Sequence, residues 1–171
     1  MKRLAHLFLG LSVMLIALPS RSAAKTKVEL KDAQGKAVGD IVIWDQGSGV
    51  GLELHLHDLT PGEHGIHFHQ VPKCEAPDFK SAGGHFNPDS KKHGFDSPDG
   101  HHAGDMTNFT VDAQGKAEVR LEDKDVTLKD GPHSLLTGGG AAIVVHAKAY
   151  DYKTDPSGNS GDRVACGVIT K

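Results

Sequence analysis

An all-β fold, built as an antiparallel sandwich or barrel, is what this chain of 171 residues predicts. Apolar residues recur at every second position in several short segments, and no stretch carries a sustained helical stripe. Twenty-one glycines and eight prolines sit between those segments, where turns are needed.

The chain opens on a segment that does not belong to that fold. Lys2 and Arg3 form a basic start, Leu4 to Leu18 is an apolar run, and Ser22-Ala23-Ala24 supplies the small residues of a cleavage site. Residues 1–24 therefore read as a signal peptide, and residues 25–171 as one mature domain. The alternative is a membrane anchor, but a run interrupted by His6, Gly10 and Ser12 falls short of the roughly 20 residues that span a bilayer. No second apolar run follows, so no membrane span is expected in the mature chain. Loss of Lys2, Arg3 and Arg21 leaves 16 basic against 22 acidic side chains, moving the formal charge from -3 to -6. Such a balance argues against nucleic acid as a partner.

The strands are read from alternation: Ile41 and Ile43; Leu52, Leu54 and Leu56; Val119 and Leu121; Ile143 and Val145; Val164 and Cys166 with Val168. Each predicts a short strand with one buried face. The hexapeptide Asp-Ala-Gln-Gly-Lys-Ala occurs at 32–37 and again at 112–117, each time between strand-like runs, with Gly35 and Gly115 free to take positive φ. Both are read as hairpin turns that share one chemistry. Only Cys74 and Cys166 are available to pair, and an exported chain meets oxidising conditions, so a bridge closing about 93 residues is expected over two buried thiols.

From Gln70 to Thr107 there is no alternation and much Pro, Gly, Asp and Lys. An unstructured loop of that length inside a domain needs crosslinks to order it. Histidines offer them. In Gly65-Ile66-His67-Phe68-His69, residues two apart share a strand face, so His67 and His69 project together while Ile66 and Phe68 face the core. They could equally be surface histidines, since His55 and His57 have the same spacing. Further on, His85, His93, His102 and Asp105 make a plausible closed tetrahedral zinc site, or a solvated polar loop. His146 ends the apolar run Ala141 to Val145 and is uninterpretable alone.

Five segments together are more specific. Gly65-Ile66-His67-Phe68-His69, Gly84-His85-Phe86-Asn87-Pro88, His102-Ala103-Gly104-Asp105, Val144-Val145-His146 and Gly161-Asp162-Arg163-Val164-Ala165-Cys166-Gly167-Val168-Ile169 resemble, in order and with consistent gaps, the copper/zinc superoxide dismutase family. The resemblance implies an eight-stranded antiparallel Greek-key barrel or sandwich with long metal-binding and electrostatic loops. It implies copper on His67, His69, His85 and His146, and zinc on His85, His93, His102 and Asp105, one ion of each per subunit, with His85 serving both. Four imidazoles suit tetragonal copper, and three imidazoles with a carboxylate suit tetrahedral zinc. His101, beside His102, is the weaker zinc candidate, while His64 and His133 resemble structural positions. Cys74 and Cys166 match the family's disulfide, and the short spacings after His69 and His146 resemble the exported bacterial branch, which implies a periplasmic location. A homodimer is implied only by the family.

The activity implied is dismutation of the superoxide anion, with His85 releasing and regaining the copper as its nitrogen takes and returns a proton. Because the mature chain is negative, local positive charge must guide the substrate; Arg163 matches the family's channel arginine, with Lys148 and Lys153 as further candidates. One position departs from the pattern. Where the family carries an aspartate linking a copper histidine to a zinc histidine, this chain has Tyr150 followed by Asp151, and a phenol cannot accept two imidazole donors as a carboxylate does. Either Asp151 turns inward or the link is missing. The competing functional reading is a non-catalytic copper-binding or delivery domain on the same fold, for which an anion guide would have little use.

Overall fold

The computed structural model describes residues 25–171; the predicted signal peptide, residues 1–24, lies outside the described residues. Among the described residues nine strands are formed: β1 (Lys25–Asp32), β2 (Ala37–Asp45), β3 (Val50–Leu56), β4 (Gly62–His64), β5 (Ile66–His69), β6 (Phe109–Val111), β7 (Ala117–Asp123), β8 (Ala141–His146) and β9 (Arg163–Ile169). All ladders are antiparallel, in the order β5-β8-β9-β1-β2-β3-β7, with β4 paired to β6. The circuit closes because β6 turns directly into β7 and β4 runs into β5 across Gly65. Counting β4 and β5 as one interrupted strand gives the eight strands expected. Consecutive strands β3 and β4, and β7 and β8, are not neighbours, which is the Greek-key signature.

The repeated hexapeptide makes the same turn twice. Asp32 N–H donates to Lys36 O at 2.9 Å and Asp112 N–H to Lys116 O at 2.8 Å, while each aspartate side chain accepts the N–H groups two and four residues on. Gly35 and Gly115 take φ of 81° and 78°.

Inside the barrel, Leu30, Ile41, Ile43, Leu52, Leu54, Ile66, Phe68 and Ile143 are fully buried, as the alternation of β2 and β3 predicts. The expectation for β9 needs correction. Cys166 and Val168 do not lie on its barrel face: Ala165 and Ile169 do, Val164 is partly buried against the same core, and Val168 is 38% exposed. Cys166 instead joins Phe79, Ala82, Ala142 and Val144 in a second cluster beneath the 70–107 loop. A strand covered by barrel on one side and loop on the other buries both faces along part of its length, so strict alternation is lost.

Candidate metal centre

Strand β5 organises the site. Ile66 and Phe68 enter the core, which turns His67 and His69 together to the opposite face, where both are fully buried. The 70–107 loop returns twice to the same strand: Phe86 N–H donates to Phe68 O at 2.8 Å, and Phe68 N–H donates to Gly104 O at 2.9 Å. These bonds align the neighbours of Phe86 and Gly104, so His85 stands opposite His69 and Asp105 opposite His67. Only glycine fits at 104, since a Cβ there would lie 2.6 Å from Phe68 O. His146 arrives from the last position of β8, where the ladder shifts register and pairs it with Arg163.

Two clusters result. Nitrogens of His67, His69, His85 and His146 lie within 4.8 Å of one another. In the second, Asp105 Oδ1 is 3.0 Å from His85 Nδ1, 3.0 Å from His93 Nδ1 and 3.4 Å from His102 Nδ1. His102 Nδ1 is in turn 3.3 Å from His85 Nδ1 and 3.4 Å from His93 Nδ1. A tetrahedral ion with ligands at about 2.0–2.1 Å separates its donor atoms by roughly 3.3 Å, so the spacing suits zinc. His67 also comes within 4.8 Å of the donors of His85, His93 and Asp105, so the two clusters abut.

The buried polar atoms without a partner mark the same places: His69 Nε2, His85 Nε2, His146 Nε2 and both nitrogens of His67. Orphaned buried nitrogens are costly unless they serve an ion. The opposite nitrogens of two rings are fixed. His69 Nδ1 donates to Gly83 O at 3.0 Å, and His146 Nδ1 lies 3.0 Å from Ser160 Oγ and 3.4 Å from Gly161 O. That arrangement sets the tautomer that leaves Nε2 free to ligate.

Electrostatics agree with ligation. Burial drives His67 and His69 well below the ordinary imidazole value, His85 to about 4 and His146 to about 3, so their lone pairs are unprotonated at neutral pH. Burial pushes the Asp105 carboxyl up, but hydrogen bonds from His102, His85, His93 and the Gly94 N–H outweigh it and hold the group well below the usual carboxylate range. Asp105 is therefore a fixed negative charge beside the unprotonated His85.

A surface cavity of about 400 Å³ opens onto His85 and His146 and is also lined by Gln70, Asn87 and Arg163. Arg163 donates through Nη1 to Phe79 O and through Nη2 to Gly83 O, both at 2.7 Å, so its planar head is held in place with further donors free. Lys148 and Lys153 do not line this cavity.

His101, the weaker zinc candidate, faces away and pairs with Asp125 at 3.0 Å. His55 pairs with Glu118, His57 lies beside Asp58, His64 spans the carbonyls of Thr60 and His146, and His133 reaches Asp125 O and Asp89. Cys74 and Cys166 form a disulfide with Cα atoms 5.6 Å apart, tying the loop to β9.

The choice left open behind the ligands is resolved. Asp151 is exposed and turned outward, accepting hydrogen bonds from the Lys153 and Thr154 N–H groups, the Thr154 hydroxyl and the Asn159 amide. The Tyr150 ring fills the interior instead, 4.8 Å from the His67 ring and 5.1 Å from the His93 ring. Its hydroxyl, His67 Nε2 and His93 Nε2 are all buried without a partner. Two contributors to the site were not assigned from the sequence. Asn108 clamps the backbone of Tyr150 through both its amide atoms, at 3.0 Å each, and donates its N–H to the Tyr152 hydroxyl. Asp155 accepts the His93 N–H at 2.7 Å.

Residues 27–169 match the family described as copper/zinc superoxide dismutase. The chain is 43% identical over 171 residues to superoxide dismutase [Cu-Zn] 2 of Aquifex aeolicus, covering 99% of each chain. Among solved structures, a SOD-like protein from Bacillus subtilis is 42% identical with a TM-score of 0.83, over 86% of this chain and 99% of that one. The Cu/Zn superoxide dismutase of Brucella abortus is 30% identical with a TM-score of 0.71, over 85% and 99%. The chain belongs to the copper/zinc superoxide dismutase family and is an oxidoreductase of that class, with copper and zinc as its cofactors.

Proposed function

We propose that this chain dismutes superoxide in the cell envelope, 2 O2− + 2 H+ → O2 + H2O2, with one copper on His67, His69, His85 and His146 and one zinc on His85, His93, His102 and Asp105. The observation that carries this reading is the His85 ring. Its Nδ1 lies among Asp105 and His102, its Nε2 is buried without a partner, and His85 belongs to both groups of possible ligands, which supports the reading that each nitrogen serves one ion. One imidazole thus offers a donor to each cluster.

Copper supplies one-electron redox chemistry when bound there, and zinc a fixed charge that does not change oxidation state. The chain's own residues do the rest. Arg163 stands at the cavity mouth as a charge for a small anion, in a mature chain whose formal charge is otherwise unfavourable to one. The His85 residue lines the same cavity; its imidazole, unprotonated at neutral pH, can take a proton and hold it for the reduced substrate. Asp105 Oδ1 lies 3.0 Å from His85 Nδ1, so these are the two atoms that would share the zinc on that side of the ring.

Pulse radiolysis on protein of measured copper and zinc content tests the reading. Turnover should scale with copper occupancy and fall as salt is added. Fully loaded protein without turnover would leave the non-catalytic copper-binding domain as the function. Export is supported by the disulfide and by the 1–24 segment, and N-terminal sequencing of protein from the periplasm should begin after Ala24. The homodimer implied by the family is tested by sedimentation equilibrium.

A further inference from the structure

We infer that Asp155 is a positioning residue for the His93 side of the centre, holding through the backbone what Tyr150 does not hold through the ring. The inference rests on the reading of His93 as a zinc ligand. A metal-binding imidazole is normally oriented by a hydrogen bond at its second nitrogen. His69 has one to Gly83 O and His146 has its Ser160 and Gly161 partners, but His93 Nε2 has none, because the side chain that faces it is the Tyr150 ring.

What fixes His93 is its peptide. The His93 N–H donates to Asp155 Oδ1 at 2.7 Å, and the next N–H, of Gly94, donates to Asp105 Oδ2 at 2.9 Å. Two successive backbone donors are therefore held by two carboxylates, one from the 147–162 segment and one from the metal cluster itself. Fixing both peptides fixes the direction of the His93 Cα–Cβ bond, and so narrows the positions its Nδ1 can reach. Asp155 is presented by a segment that is ordered by its own bonds: Asp151 accepts four donors from residues 153, 154 and 159, and Gly158 N–H donates to Thr154 O at 2.6 Å. The same segment closes over the ring, since a Cβ at Gly158 would lie 2.9 Å from His93 Nε2. Lys92 pairs with Asp155 Oδ2 at 3.1 Å, but both side chains are largely exposed and that pair contributes little.

The test uses the full copper- and zinc-loaded protein, its Asp155→Ala, Asp155→Asn and Lys92→Ala variants, and cobalt(II) in place of zinc as a spectroscopic probe. Zinc release to a chromogenic chelator should quicken about 10 to 100-fold in Asp155→Ala, with a changed cobalt d–d spectrum. Asp155→Asn keeps an oxygen acceptor for the His93 N–H and should restore most of both; Lys92→Ala should match the parent. Melting of the metal-free proteins should be nearly equal. Parental zinc release and spectrum in Asp155→Ala would overturn the inference, as would an Asn variant no better than Ala, or a loss of metal-free stability large enough to account for the zinc loss. A parent protein that holds no zinc against the chelator would instead overturn the zinc-site reading, and this inference with it.

Discussion

Arg163 donates to the carbonyl of Gly83 at 2.7 Å, and the same oxygen accepts the Nδ1 hydrogen of His69 at 3.0 Å. The candidate anion guide and a candidate copper ligand are thus set by one backbone atom, which the disulfide-anchored loop supplies. In Arg163→Ala, His69 keeps its own bond to Gly83, so both metals should be retained while kcat/KM falls by about 10-fold or more and much of its salt dependence disappears. Arg163→Lys keeps the charge but cannot fork to the Phe79 and Gly83 carbonyls, so it should preserve the salt dependence with an intermediate rate. Metal analysis beside rate measurements at several ionic strengths checks both.

Tyr150 and His67 pack edge to face, with their free polar atoms unpartnered. A buried polar group left without a partner costs about 1 to 3 kcal/mol, so Tyr150→Phe should be neutral or slightly stabilising in denaturant unfolding. Tyr150→Asp introduces an acceptor where His67 Nε2 and His93 Nε2 have none and should slow zinc release about 10 to 100-fold. No gain in zinc retention from Tyr150→Asp would show that the missing carboxylate does not limit it.

These relations also mark how far the sequence could be read. The strands β2 and β3 were legible because one face is barrel interior and the other is solvent, so period two survives in Ile41, Ile43, Leu52, Leu54 and Leu56. The strand β9 was misread because the loop covers the side that carries Cys166 while the barrel covers Ala165 and Ile169. The candidate ligands were legible because their spacing repeats a family pattern. Asp155, Asn108 and the carbonyl of Gly83 were not, because they act through long-range hydrogen bonds between a side chain and a backbone atom, which leave no periodicity and no characteristic residue type.

The Cys74–Cys166 bridge spans a sequence separation of 92 and covers the second cluster, where Phe79 and Ala82 pack on Ala142 and Val144. Closing so long a loop constrains the unfolded chain by roughly 4 to 5 kcal/mol in the entropy model. The double variant Cys74→Ser, Cys166→Ser should lose about 3 to 5 kcal/mol in denaturant unfolding of the metal-free protein. Because Gly83 lies on the released loop, copper should also leave faster. Unchanged copper release in a destabilised double variant would confine the bridge to stability.

Asp123, 4% exposed at the end of β7, accepts the Asp125 N–H at 2.9 Å through Oδ1, while Oδ2 has no partner. Burial pushes its carboxyl up to about 8. A carboxyl whose folded value lies above its unfolded value of about 3.9 contributes stability that is fully present below that unfolded value. The contribution declines as pH rises and is gone once pH has passed through about 8, because the folded chain retains a proton that the unfolded chain has released. Asp123→Asn cannot ionise, so the metal-free variant should match the parent near pH 4 and become progressively more stable than it up to pH about 8, with no further divergence above. His133, raised by its bond to the Asp125 carbonyl, and the buried histidines of the metal clusters titrate in both proteins. They cancel in the difference between the two unfolding curves, and a difference that stays flat from pH 5 to 9 would show that Asp123 is ionised in the folded chain throughout.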